Sequence, residues 1–507
     1  MSQSNRLRAL KNVLGSWVGL GTSVIAGFAL TPYVLRHVGD SAYGVWVLLT
    51  AFTGYYGLLD LGLRSATIRY VARHLATNDT DELNRVVSTS FFFYSALGLA
   101  MTVVTAIVAL RFNHLFKVGP EWQDTGRTLL LIVGFGTALN MPVTLFSGVL
   151  EGLQRFSLVG WVQTLSVILR AALLIYLLER GYTILAVGVV TMIMNILSGL
   201  TLMFCAFRLA PSLRIRFRDA SLPTLKTLGG YGLVIFWISV AQSLRFQFDS
   251  MVIGWMISAE AITYFSFGSR LSVYSLDVVQ MMAQILTPMA SAADATGEEG
   301  RQRRIFMMGN RYSAFVALPL GALFLIAGGT IIRVWVGAKY VSAGYMVLAI
   351  VTVPTTIYLM QAASPKVLFG MAQHKTLAVV LMIEAIANLV LSIALAPHFG
   401  LAGVAWGTAI PLAITNIFFL PLHLCRLLHV RLRVFLIESY LYPLLAVIPA
   451  GAVLWAINNR IQATHWLGLV ATLAPGVAAY GAALALYVYF VEGGRLSSAR
   501  RQGAAVE

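Results

Sequence analysis

Charge is scarce in this sequence. Of its 507 residues, 11% are Asp, Glu, Lys or Arg and 58% are hydrophobic, whereas soluble domains carry about 25% charged residues. With a mean hydropathy of +0.80, a soluble globular enzyme is excluded, and little chain is left for an extramembrane domain. Cysteine is nearly absent: Cys205 and Cys425 end apolar runs expected to face the same side, and no CxxC occurs, so neither a disulfide framework nor a soft-metal site is expected. The sequence has no GxxxxGK[ST], HExxH or GxSxG, and its histidines lack ligand spacing. No catalytic residue, metal or cofactor is therefore expected. Despite a net charge of +16, no basic stretch is long or aromatic-interleaved enough to track phosphates, which argues against nucleic acid. No small-residue cleavage site follows the polar start Met1 to Lys11, so no secretory signal is expected and the first apolar run should stay in the mature protein.

What is present is a succession of long apolar runs. Taking about 20 residues per crossing, they fall near 13–35, 44–63, 86–110, 127–150, 158–178, 184–206, 229–253, 263–289, 312–332, 341–364, 376–396, 401–425, 440–457 and 466–491. The fold class is thus expected to be an all-α integral membrane protein of about 14 transmembrane helices. With a cytoplasmic N-terminus, twenty-five Lys and Arg fall on inside segments and eight on outside ones. This is a strong positive-inside bias that makes both termini cytoplasmic. The longest outside connection, Arg111 to Gly126, is about 16 residues, too short for a catalytic lid or a folded domain. The inner segment Arg64 to Arg85 reads as an amphipathic interfacial helix and turn, with no chemistry assigned.

An internal repeat organises these runs. Val149-Leu150-Glu151-Gly152, then Gln154 and Ser157-Leu158, recurs as Val367-Leu368-Phe369-Gly370, Gln373 and Thr376-Leu377; Gly181, Ala186 and Gly188 recur as Gly400, Ala405 and Gly407. Matches at one offset point to duplication of a six-span unit. Since six is even, the two lobes should be related by a pseudo-two-fold axis along the membrane normal, with the substrate path between them. The expected organisation is a cytoplasmic start (1–12), an N-lobe (13–206, spans 1–6), a basic cytoplasmic linker (207–228) and a C-lobe (229–425, spans 7–12). Two extra C-terminal spans (426–491) and a cytoplasmic tail (492–507) complete it.

Charges inside the runs need a reason, because each costs about 3 kcal/mol at mid-bilayer on the permissive scale. The cations are Arg170, Arg245 and Arg270, and the carboxylates are Asp249, Asp277 and Glu384. Arg245 and Asp249, four apart, could neutralise each other on one helix. Arg270 and Asp277 share a face, and Arg270 is near enough to the outer end of its run to snorkel. Arg170 has no acidic residue one turn away, so its partner is on another helix or is a ligand. Glu384 could be a proton or cation site, or could hydrogen-bond Asn388. Guanidinium groups match phosphate oxygens bidentately and stay charged at any depth. Three of them converging between two lobes would suit an anionic, phosphorylated substrate better than a cationic drug, with the carboxylates as coupling or cavity groups.

The segment Val38-Gly39-Asp40-Ser41-Ala42-Tyr43-Gly44-Val45-Trp46, followed by Leu58-Leu59-Asp60-Leu61-Gly62-Leu63 and an arginine-bearing helix, resembles the N-terminal signature of Wzx-type polysaccharide and O-antigen flippases. Gly268-Ser269-Arg270-Leu271 is similar to the eighth-span motif of that family. Glu384, Asn388 and Gly400-Leu401-Ala402-Gly403-Val404-Ala405-Trp406-Gly407-Thr408 resemble its eleventh and twelfth spans. The wider superfamily also holds the lipid II flippase MurJ and the MATE antiporters.

The resemblance implies two six-helix lobes around a cationic cavity in the bacterial inner membrane, moving an undecaprenyl-diphosphate-linked oligosaccharide to the outer leaflet by alternating access, with coupling to an ion gradient or the membrane potential. It implies membrane lipids as partners, and a glycan polymerase and export proteins of the same pathway. Arg270 matches an arginine position of the family, whereas Arg170 and Arg245 match by span only. Unlike MurJ, the first run has no arginine between Gly15 and Leu35, which points away from lipid II as cargo. Fourteen spans, against twelve in MATE proteins, favour a lipid-linked cargo, since in MurJ the extra helices build a groove for the isoprenoid tail. The alternatives are a MATE-like cation or drug antiporter and a membrane-embedded glycan polymerase.

Overall fold

In a bilayer the backbone has no water to bond to, so an apolar run satisfies its own N–H and C=O groups by folding as a helix. The computed structural model describes residues 3–492 apart from Leu61, Ile285 and Ala372, and no strand occurs among the described residues. Among the described residues, ten helical segments are long and apolar enough to cross a membrane. The chain is an all-α integral membrane protein. The tail expected over 492–507 lies outside the described residues except for Glu492.

Contacts divide the chain after Thr263. The first unit contains α1 (Gln3–Val38), α2 (Asp40–Gly54), α3 (Leu63–Ala76), α4 (Thr80–Leu110), α5 (Pro120–Gly152), α6 (Phe156–Glu179), α7 (Ile184–Leu209) and α8 (Leu222–Met256). Helix α5 is its hub, packing on α2, α3, α4 and α7, while α1 lies along α6. Buried Tyr94, Met101, Phe146 and Leu150 form part of the core there. Helix α8, the seventh apolar run, packs on α2, α3 and α4. The lobe boundary expected at 207–228 therefore rests on the sequence repeat and not on these contacts.

The division falls inside α9 (Ala259–Ala283). Beyond it come α10 (Leu286–Ala295), α11 (Glu299–Trp335), α12 (Val341–Met360), α13 (Ala363–Gly370), α14 (His374–Ile414), α15 (Leu420–Leu427), α16 (Tyr442–Ile461) and α17 (Trp466–Tyr487). The apolar segment Lys375–Leu427 has 53 residues, about 80 Å as one straight helix and more than twice the hydrocarbon thickness. It bends at Gly400, whose φ of 56° and ψ of −132° are non-helical. Helices α1, α8 and α9, at 36, 35 and 25 residues, also have crossing length.

The repeat has a local structural counterpart. Gly181 and its partner Gly400 both adopt positive φ, 81° and 56°, at the bend that begins the next apolar run. Gly152 and Gly370 each seat a short helix: a Cβ on Gly152 would lie 2.7 Å from Val71 Cγ1 of α3, and one on Gly370 would lie 2.5 Å from Ala290 Cβ of α10. The short helix of each unit thus docks where the repeat requires the absence of a side chain.

The ninth apolar run, expected over 312–332, lies within α11, but Arg311, expected in a connection, is in the same helix, which begins at Glu299, and is only 3% exposed. Hydropathy marks where a helix enters lipid, and the polar first turns of the same helix leave no such signal.

Candidate functional site

A corner before α3 sets the site. Gly62, at φ 72°, precedes the helix, and the Asp60 carboxylate accepts the Arg64 backbone N–H at 3.3 Å. Buried Tyr94 of α4 donates its hydroxyl to the same carboxylate. The corner directs Arg64 toward the end of α5, where its Nη2 lies 2.6 Å from Glu151 Oε1. The Arg64 side chain stays 47% exposed while Glu151 is 16% exposed, so the guanidinium keeps donors for a second acceptor.

Arg64 and Arg170 line one cavity of about 370 Å³ within the first unit. Its walls come from α1, α3, α5, α6 and α7, and its polar lining includes Asn140, Thr144, Gln163 and Asn195. Arg170 makes no hydrogen bond or ion pair among the described residues, and buried Asn140 Oδ1 accepts no hydrogen bond there. A half-buried polar hollow with two guanidinium groups, amides and hydroxyls, walled by lipid-spanning helices, is chemically fitted to an anion attached to a hydroxyl-rich group.

The other expected site residues are distributed differently. Arg245 and Asp249 sit on α8, 2% and 7% exposed, each engaged with neighbours, and neither lines the cavity of Arg64 and Arg170. Arg270 and Asp277 are two turns apart on α9; Arg270 is exposed and Asp277 half-buried. Glu384 on α14 is 3% exposed. Its neighbour Asn388 donates to Thr408 Oγ1 at 3.1 Å and accepts from Ser392 Oγ at 3.4 Å, which ties the two limbs of α14 together across the Gly400 bend. Asn388 therefore has a structural role beyond any contact with Glu384. No group of three or more His, Cys, Asp or Glu that could hold a metal occurs among the described residues.

Sequence reasoning passed over Arg64, Asn140, Gln163 and Asn195. The available signal was uncharged polar side chains in the middle of apolar runs, together with an arginine one turn after Asp60. It also passed over Arg311, whose Nε donates to the Glu438 carbonyl oxygen and whose Nη2 faces Glu438 Oε2 at 3.7 Å. Tyr480 donates to the Phe315 carbonyl, and Asn458 Nδ2 donates to the Ile326 carbonyl at 3.1 Å. These tethers hold α16 and α17 on α11 around an apolar cleft of about 130 Å³ lined by Leu320, Leu323, Ala450, Leu473 and Val477.

Several known proteins are similar to this chain. The uncharacterized membrane protein EpsK of Bacillus subtilis is 23% identical over 89% of each chain. A putative O-antigen transporter of Shigella flexneri is 19% identical over 78% of this chain and 93% of its own. The lipid II flippase MurJ, in an inward closed conformation, superposes with a TM-score of 0.72 at 15% identity, covering 95% of this chain and 99% of its own; that likeness shows a shared fold. The profile of the polysaccharide biosynthesis protein family matches residues 34–345. The chain is a membrane transporter that belongs to that family.

Proposed function

We propose that this transporter flips a lipid-linked oligosaccharide, an undecaprenyl-diphosphate glycan, from the inner to the outer leaflet of a bacterial cytoplasmic membrane. The observation that carries the reading is that Arg64 and Arg170 line the same polar cavity. A diphosphate satisfies both forks, each charge-assisted hydrogen bond being worth about 1.5–3 kcal/mol. Glu151 holds Arg64 until the anion arrives. The amides and hydroxyls of the cavity suit sugar hydroxyls, and its volume of about 370 Å³ accommodates the diphosphate and the sugar next to it. The isoprenoid tail remains in lipid, where the apolar cleft beside α16 and α17 offers a track.

In this reading the chain crosses fourteen times, with both termini cytoplasmic. Among the described residues ten segments qualify by length and composition, one of them long enough for two crossings, and α1, α8 and α9 make up the rest. The six-plus-six-plus-two division follows the repeat. Arg245 and Arg270, which do not line this cavity, are proposed as anion contacts at other stages of transport, and Asp249, Asp277 and Glu384 as the carboxylates that couple alternating access to an ion gradient or the membrane potential. A glycan polymerase and export proteins of the same pathway receive the product. A MATE-like antiporter would place carboxylates, not two arginines, in the cavity.

Deleting the gene tests the reading. Accumulation of a lipid-linked glycan on the cytoplasmic leaflet, relieved by the wild-type chain, is the expected result. No accumulation, combined with new sensitivity to cationic dyes, would replace it with the antiporter.

A further inference from the structure

The second unit contains a larger hollow that the transport reading leaves unused. It measures about 720 Å³ and lies between α10 and the start of α11. One side is apolar, from Leu286, Met289, Ile305 and Met308, and the mouth carries Arg301 and Arg304. Glu298 partly offsets Arg301, at 3.7 Å, and also accepts from Thr296 Oγ1 at 2.8 Å. Arg304 is exposed and has no hydrogen-bond or ion-pair partner among the described residues.

Two features make this hollow amphipathic. Arg301, Arg303 and Arg304 occupy the first turns of α11, where the helix dipole disfavours cations, and an anion in the hollow offsets that cost. From Arg304 to Tyr312, another lining residue, the helix rises about 12 Å, a span that matches a phosphate headgroup together with the upper part of its acyl chain. A free anion has no use for that floor, and an uncharged hydrocarbon has none for the mouth.

We propose that this hollow binds an anionic phospholipid, with its phosphate against Arg304 and Arg301 and an acyl chain along Met289, Ile305 and Met308. Basic pockets between membrane helices are suited to such headgroups. The site does not depend on which cargo is transported.

The test is native mass spectrometry of the full-length purified protein titrated with phosphatidylglycerol or phosphatidylcholine. Phosphatidylglycerol is expected to bind in preference, and the double variant Arg301→Gln, Arg304→Gln should weaken it about tenfold. Arg433→Gln, an exposed cation elsewhere, should leave binding unchanged. Met308→Trp, which fills the floor and keeps both arginines, should weaken lipid binding as well, and decides the matter if the double variant aggregates. Equal affinity for the two lipids, wild-type binding by the arginine or tryptophan variants, or displacement of the lipid by inorganic phosphate would overturn the proposal. Because transport is not measured, a failed cargo assignment leaves this result intact.

Discussion

Arg64 Nη2 lies 2.6 Å from Glu151 Oε1, joining the start of α3 to the end of α5 across 87 positions of sequence. Arg64 of this pair lines the cavity that also holds Arg170, so an anion bound there by Arg64 would compete with the Glu151 carboxylate. At the repeat position of Glu151 the second unit has Phe369, and this ion pair is not duplicated there.

Reversing the pair separates its two roles. Arg64→Glu combined with Glu151→Arg should restore membrane abundance, because the ion pair is kept, while glycan export stays at least tenfold down because the cation has moved away from the Arg170 side. Export recovering fully alongside abundance would make the pair a structural strut only.

At Arg170, substitution by Ala should lower export at least tenfold at unchanged membrane abundance, through the loss of charge-assisted hydrogen bonds worth about 1.5–3 kcal/mol each. Lys should rescue only partly, since it keeps the charge and loses the planar fork. Export and abundance measured on the same cells check this. Full export by an Arg170→Ala, Arg270→Ala double variant would end the cationic-cavity mechanism.

Topology follows from the distribution of basic residues. Reporters fused after Arg85, Arg218, Arg304 and Arg433 should report cytoplasm, and fusions near Lys117, Lys339 and Arg460 should report the outside. An inverted reading within 207–228 would remove the six-plus-six arrangement.

The bends at the repeat glycines carry a stability prediction. Gly400→Ala forces a side chain into φ 56°, ψ −132°, at a cost of about 1–3 kcal/mol, and should lower the unfolding temperature of the solubilised protein. Gly181→Ala, at φ 81°, should cost about 1–2 kcal/mol. Gly481→Ala, inside α17 with open space around the new methyl, should not lower Tm, since Ala is the better helix former; equal Tm losses for all three would refute the account.

The Arg311–Glu438 tether should respond asymmetrically. Arg311 is 4% exposed in its side chain and Glu438 44%. Removing Glu438 therefore leaves a buried cation short of its counter-charge, whereas Arg311→Met leaves a carboxylate that water can solvate. Glu438→Ala is expected to lower Tm more than Arg311→Met does, and the reverse order would show that the carbonyl contact alone holds the arginine.

Hydropathy alone determined the all-helical membrane class and the approximate helix positions, because burying a backbone in lipid leaves one local solution for each apolar run. The offset matches of Gly152 with Gly370 and Gly181 with Gly400 were legible because close approach and positive φ restrict the residue that can stand there. The segment Leu58 to Leu63, which carries part of the family resemblance, contains a corner set locally by the Arg64 N–H bond to Asp60 and the positive φ of Gly62. Tertiary structure alone decided that Arg64 shares a cavity with Arg170, that Arg245 and Asp249 are packed away, and that Arg311 is buried. Each of these depends on how one helix is rotated and set against another. That setting comes from contacts between residues far apart in sequence, and hydropathy carries no signal of it.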